Sequence, residues 1–394
     1  MTPTPVTLRD IPYWRLSAFY FAYFLALGAY APYFAPYLES RGLSAWQISV
    51  VMSLWFGSRV YAPSTWGWLT AHSAHPIRWL RAGAAVTLAA FALFLLPLGF
   101  AAVISVMLVY ATAYNAIMPQ FEALTLAHLG ERRSRYGRIR VWGSVGFVIA
   151  NIGFGWLLQG LGYHWLVALL LPVFALLLAS TWINREPDAN PGQVPGAGLR
   201  GDLLSRLRSR AVWTFLTTAL LMQLAHGAFY VFLSLHLMRN GYSAQQIGLL
   251  WAVGVMAEIA MFLWMPRVLG RFSPQAIMSA CFGIGIVRWL VTALLPEHGW
   301  AIVVSQMGHA FTFAAFHSTS IYAIGQFFPG RSGVHGQGML YGFSSGLGGV
   351  LGALLAGALW ELGGGHSSFL GSAVISLIGL ALALRVRIPD SNPS

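Results

Sequence analysis

Apolar residues run through this chain in blocks too long for ordinary soluble helices. Twelve blocks occur, at 14–38, 45–69, 77–97, 100–127, 139–160 and 163–183, then at 211–238, 244–269, 275–296, 299–326, 337–360 and 367–388. Each matches the roughly 20 residues an α-helix needs to cross a hydrocarbon core. Lipid offers no partner for open backbone groups, so blocks of this kind predict helices. Short turns separate them, with one exception. Residues 184–210 are hydrophilic and hold Pro187, Pro191, Gly192, Pro195, Gly196 and Gly198, then Arg200, Arg206, Arg208 and Arg210. This stretch reads as a linker whose second part lies on a membrane surface. The pattern therefore predicts an all-α membrane protein: a six-helix bundle at 1–183, a linker at 184–210 and a second six-helix bundle at 211–394.

The two halves repeat at a constant offset of 199. Gly28-Ala29 falls on Gly227-Ala228, and Gly42, Ser44, Ala45, Gln47 and Ile48 fall on Gly241, Ser243, Ala244, Gln246 and Ile247. Leu95-Leu96-Pro97 falls on Leu294-Leu295-Pro296, Gly137 on Gly336 and Gly143 on Gly342. Six spans separate equivalent helices, an even number. The halves are thus expected to share one orientation about an axis along the membrane normal.

Composition narrows the class further. Of 394 residues 57% are hydrophobic and 9% charged, with mean hydropathy +0.66. Soluble domains carry about 25% charged residues, and disordered chains are more polar still. The net charge of +12 comes from arginine, as the chain has no lysine. A pI near 10.3 raises nucleic-acid binding as a reading. The arginine positions answer it. With the N-terminus inside, nineteen arginines fall on inner loops and tails, and Arg41 and Arg239 on outer loops. That bias places both termini in the cytoplasm and removes the need for nucleic acid. An all-arginine set suggests a GC-rich bacterial genome, hence a bacterial inner membrane. The apolar stretch after Arg15 is too long for a signal sequence and reads as an uncleaved first helix. Cys281 is the single cysteine, so neither a disulfide within the chain nor a cysteine metal site is expected. No Gly-x4-Gly-Lys-Ser/Thr motif for ATP occurs. No cofactor and no metal are expected.

Charged groups in lipid cost roughly 2.5–3.5 kcal/mol on insertion scales and persist where they are paired or face water. In mid-span this chain has Arg59, Glu122, His226, Glu258, Arg288, His309 and His317, with Arg140 just inside its span. Glu258 is placed to take and release a proton, with Arg288 as partner. The other reading is a structural ion pair between two helices. The offset of 199 brings Arg59 onto Glu258. Glu122 and Arg140 lie at matching depths across a short loop, which predicts that they pair. His309 and His317 share one helix. Each is either a proton carrier or a neutral imidazole with one hydrogen bond.

Tyr20, Tyr23, Leu27, Tyr30, Phe34 and Tyr37 follow a 3-4 spacing that makes one helical stripe. The seventh span adds Gln223, His226 and Tyr230, and the fourth Asn115, Met118 and Glu122. Such a set suits a small ring-bearing solute, while packing explains the same stripe. Gly143, Gly146, Ala150 and Gly153 align with Gly342, Ser345, Gly349 and Gly352. These small faces read as sliding surfaces or as static close packing.

Two six-helix bundles in parallel repeat, joined by a cytoplasmic linker, resemble the major facilitator superfamily. Where that superfamily has Gly-x-Leu-x-Asp-Arg-x-Gly-Arg-Arg, this chain has Gly67-Trp-Leu69-Thr-Ala71-His72, with Ala71 in place of the acid. Gly57-Ser-Arg59, Tyr136-Gly-Arg-Ile-Arg140-Val-Trp-Gly-Ser144, His226-Gly-Ala, Glu258, Arg288-Trp and His309…His317 resemble the phenylpropionate permease group, near the lactose and nucleoside proton symporters. The resemblance implies that spans one, four, seven and ten line a cavity. Tyr23, Tyr30, Asn115, Arg140, His226 and Tyr230 are then candidates for the substrate. Glu258, Glu122, His317, His309 and Arg288 are candidates for proton coupling, and Arg59, Gly143 and Gly342 for coupling or structure. In lactose permeases a Glu on the fourth span and an Arg on the fifth serve the sugar, and a Glu on the eighth serves the proton. This chain departs on the tenth span, which has no Glu after its His and leaves His317 or His309 to substitute.

The expected function is a proton-coupled symporter for a small organic solute, an aromatic acid such as 3-phenylpropionate, working as a monomer by alternating access. A sugar or a nucleoside is the alternative solute. A reading of another class is an intramembrane hydrolase using Ser344, because Gly342-Phe-Ser344-Ser-Gly346 matches G-x-S-x-G. That motif needs a strand–turn–helix context, and here it lies in an apolar, glycine-rich block.

Overall fold

The computed structural model describes residues 11–186 and 206–389. Residues 187–205 of the expected linker lie outside the described residues, as do both chain ends. Among the described residues there is no strand. The helices are α1 (Tyr13–Ser40), α2 (Ala45–Ala71), α3 (Pro76–Ala92), α4 (Phe100–Leu129), α5 (Tyr136–Leu161) and α6 (Leu166–Ile183). They continue with α7 (Arg210–Arg239), α8 (Ala244–Leu269), α9 (Pro274–Leu294) and α10 (299–327). The last run, Gly333–Ala383, is two spans. Gly363 and Gly364 leave helical geometry at φ −164° and 62°, separating α11 (333–362) from α12 (365–383). All twelve expected spans are helical, with ends shifted by a few residues.

The chain packs as two compact units that cut across the linear halves. Among the described residues, one comprises 11–30, 62–150 and 165–186; the other comprises 31–61, 151–164 and 206–389. Segments 31–61 and 151–164 thus join α7–α12, and directed hydrogen bonds hold them there. The Tyr33 hydroxyl lies 2.7 Å from the Asn151 carbonyl and 3.3 Å from that of Ala244. Gln159 accepts the Ala244 N–H at 3.0 Å, Glu361 accepts the Trp46 N–H at 2.9 Å, and Arg239 donates to Glu39 at 3.1 Å.

The sequence repeat reappears as geometry within the second unit. α1 and α7 both end on a left-handed glycine, Gly42 at φ 85° and Gly241 at φ 84°. The next N–H folds back in each case, Leu43 to Leu38 O at 3.2 Å and Tyr242 to Leu237 O at 3.1 Å. Glycine meets the positive φ without the Cβ clash of other residues. The following helices both start on a Ser–Gln capping box. Gln47 accepts from Ser44 N and donates its own N–H to Ser44 Oγ (3.0 and 3.3 Å). Gln246 and Ser243 do the same at 2.9 and 3.2 Å.

Candidate functional site

The polar centre of the second unit begins at a break in α7. Helical bonding stops at Ala225 and restarts at Gly227, leaving His226 between two helical pieces. A Cβ on Gly227 would overlap the backbone of Gly352 on α11, and one on Gly352 would come within 2.7 Å of Leu224 O. Glycine on both sides lets the two backbones touch, and that crossing fixes where the His226 ring projects. It projects onto α10, where Ala310–Ala315 winds as a π-helix. Single π-turns inside α-helices gather at functional sites, because the added residue re-aims the side chains around it.

Five side chains meet there: His226, Glu258, Arg288, His309 and Thr312. His309 Nε2 is 2.8 Å from Glu258 Oε1 on α8, and His309 Nδ1 is 3.0 Å from Arg288 Nη1 on α9. Arg288 Nη1 also donates to Thr312 Oγ1 at 2.8 Å, and Arg288 Nε donates to Ser305 O at 2.9 Å. Thr312 Oγ1 is 3.1 Å from His226 Nε2, and His226 Nδ1 is 2.7 Å from Met222 O. His226, Arg288 and His309 are 2%, 2% and 4% exposed, while the Glu258 side chain keeps 15% of its surface accessible. The guanidinium is sheathed by the rings of Phe229 and Trp289, 4.5 and 4.3 Å away.

Donor rules fix the protons. A guanidinium only donates, so His309 Nδ1 must accept, and its single N–H points from Nε2 to Glu258. Met222 O only accepts, so His226 carries its proton on Nδ1 and accepts at Nε2. The two N–H groups of Arg288 Nη1 go to His309 and Thr312, which leaves the Thr312 hydroxyl proton for His226. Both imidazoles are thereby neutral. The expected direct Glu258–Arg288 pair is replaced by a relay with His309 in the middle.

A cleft opens beside this relay. It is lined by Gln223 and His226 on α7, Thr312, Phe313 and His317 on α10, and Tyr341 and Ser344 on α11. It holds about 460 Å³ of space between atoms, its open mouth included. His317 is half-buried and stacks on Phe313 at 6.1 Å. Tyr230 lies within electrostatic reach of Arg59, Glu258 and Arg288. The repeat-equivalent pair Arg59 and Glu258 thus act on one hydroxyl. Arg59 itself lies over the Phe56 and Trp55 rings, at 5.3 and 5.8 Å.

Several expected site residues are engaged inside the first unit. Glu122 accepts a hydrogen bond from the Tyr136 hydroxyl at 3.0 Å. The Arg140 guanidinium lies 3.9 Å from the Phe24 ring centre, and among the described residues it makes no ion pair with Glu122. The expected Glu122–Arg140 bridge is therefore absent: an aromatic face takes the cation, and a phenol takes the carboxylate. Gly143 explains the geometry, since a Cβ there would meet Arg140 Nη1 at 2.6 Å and Phe24 at 2.7 Å. Gly143 makes room for Arg140 within its own unit, whereas Gly342 has open space around it. Tyr23 and Tyr30 are buried against α4, where Tyr23 donates to Tyr114 O at 3.4 Å and Tyr30 lies 3.9 Å from the Met107 sulfur. Asn115 is buried on the same helix.

Thr312 and Ser305 were not singled out by the sequence. The signal for Thr312 was its place three residues after His309, one turn along the same helix. Ser344 lines the cleft from a π-helical stretch at Tyr341–Gly348, so the G-x-S-x-G match lacks its strand–turn–helix setting. Among the described residues no three His, Cys, Asp or Glu side chains converge as a metal site.

The model of the MFS_1 like family matches residues 13–371. The chain is 29% identical over 305 residues to a probable 3-phenylpropionic acid transporter of Escherichia coli, covering 76% of this chain and 78% of that protein. It is 26% identical over 376 residues to the maltose permease of Geobacillus stearothermophilus, covering 93% and 92%. The crystal structure of the nucleoside transporter NupG superposes with a TM-score of 0.84 at 16% identity, over 95% of this chain and 98% of that one.

Proposed function

We propose, from the premise that this chain belongs to the MFS_1 like family of membrane transporters, that it is a proton-coupled symporter for a small aromatic acid such as 3-phenylpropionate. It works by alternating access in a bacterial inner membrane, as a monomer, with both termini in the cytoplasm; the arginine bias supports that orientation. The proton sits on Glu258, and the solute occupies the cleft beside Thr312.

The relay Glu258–His309–Arg288 carries this reading. With Glu258 ionised, the buried charges of Glu258 and Arg288 balance across one neutral imidazole. A proton on Glu258 removes that balance and leaves the guanidinium positive in a medium where lone charges are costly. A carboxylate in the cleft restores neutrality. Proton and monoanion therefore stabilise each other, and either alone is penalised. Phe313, Phe316 and Tyr341 in the cleft wall supply flat contact for a ring. The E. coli relative's printed substrate fits the same description.

A neutral sugar or nucleoside is the second reading. The hydroxyls and amide of Ser320, Ser344, Ser345 and Gln223 line the cleft, and relatives include a maltose permease. The test is uptake of radiolabelled 3-phenylpropionate, maltose and uridine into proteoliposomes with and without an inside-alkaline gradient. The anion reading expects 3-phenylpropionate to accumulate only under the gradient. Accumulation of maltose or uridine in its place would transfer the reading to a neutral solute, and uptake indifferent to the gradient would remove proton coupling.

A further inference from the structure

We infer that Thr312 is the coupling residue of this site: its hydroxyl transmits occupancy of the cleft to the Glu258–His309 pair. The inference rests on the proton-coupled reading above and adds to it the route between solute and proton.

The argument is donor bookkeeping. Thr312 lines the cleft and also bonds Arg288 at 2.8 Å and His226 at 3.1 Å. His226 lines the cleft too, but its Nε2 is 3.4 Å from Arg288 Nη1, beyond a normal N–H bond. Glu258 and His309 do not line it. Thr312 therefore stands where the solute space meets the guanidinium. An acceptor atom of a bound solute competes with His226 for the Thr312 proton. Turning that hydroxyl into the cleft re-aims the lone pair that holds Arg288 Nη1. The other N–H on the same nitrogen holds His309 Nδ1, so the change reaches the imidazole whose Nε2–H binds Glu258. One hydroxyl thus has a hand on both ligands. The charged or titratable groups facing Glu258 are His309 on α10, Arg288 on α9 and Tyr230 on α7, with Arg59 of α2 acting on Tyr230. None of these others both lines the cleft and makes a short hydrogen bond to Arg288.

Infrared difference spectra of the purified full-length protein, recorded as pH is stepped, provide the test. The protonated-carboxyl band missing in Glu258→Gln reports Glu258. Thr312→Val keeps the shape but removes the hydroxyl, while Thr312→Ser keeps the hydroxyl. The expected result is a Glu258 midpoint moved by about half a pH unit or more in Thr312→Val, roughly a threefold change in proton affinity, with Thr312→Ser close to wild type. A Thr312→Val midpoint equal to wild type would overturn the inference while leaving the proton reading intact. A wild-type protein with no titrating Glu258 band would overturn both. Melting curves of the two variants establish that each is folded.

Discussion

The imidazole Nε2 of His309 lies 2.8 Å from Glu258, while its Nδ1 takes a hydrogen from Arg288 at 3.0 Å. Leucine in its place removes both bonds, taking the imidazole partner from Glu258 and leaving Arg288 its bonds to Thr312 and Ser305. Breaking a buried pair in this way costs about 3–5 kcal/mol. His309→Leu is expected to lower the melting temperature in detergent and to abolish gradient-driven accumulation. Unchanged melting would mean that the two charges find new partners without the ring.

Gly143 and Gly342 are equivalent in the repeat but not in space. Alanine at 143 would press on Arg140 Nη1 and Phe24, whereas alanine at 342 meets nothing within 4 Å. Gly143→Ala is expected to reduce uptake at least several-fold by lifting Arg140 from Phe24, and Gly342→Ala to leave melting unchanged within about 0.5 kcal/mol. Side-by-side uptake and melting of the two variants check this.

How much of this could be read in advance differs between fold and site. The spans were legible because lipid forces long apolar helices, and the repeat because Gly42/Gly241 and Ser44/Ser243 carry turn chemistry that backbone geometry demands. Intramembrane charge drew attention to Glu258, Arg288 and His309. Their order was not legible, because it depends on the α7 break and the π-turn of α10, which turn His309 between the other two. The Glu122–Arg140 pair failed for a related reason: the aromatic face of Phe24 competed for the cation. In the α1 tyrosine stripe, Tyr20, Tyr23 and Tyr30 are buried against α4.

The α7–α11 crossing is expected to be intolerant of any side chain. A Cβ on Gly227 has only the Gly352 backbone to meet, with no flexible side-chain end that could yield. Gly227→Ala should destabilise by about 2–3 kcal/mol, within the usual cost of overpacking. Thermal unfolding followed by intrinsic tryptophan fluorescence would measure it, and a loss below about 0.5 kcal/mol would contradict the close approach.

Arg239 and Glu39 form the opposite case. Their side chains are 55% and 34% exposed, so the 3.1 Å pair is screened and worth about 0–1 kcal/mol. Glu39→Gln should therefore shift melting little, and less still at high salt. A loss well above 1 kcal/mol would assign this pair a larger share in holding the ends of α1 and α7 together.

The most direct test of the whole account is transport by Glu258→Gln in proteoliposomes. Glutamine keeps the acceptor for His309 Nε2–H but carries no exchangeable proton. The account predicts that wild type accumulates 3-phenylpropionate under an inside-alkaline gradient, and that Glu258→Gln still exchanges internal for external solute yet no longer accumulates it. Gradient-driven accumulation by Glu258→Gln equal to that of wild type would contradict the account.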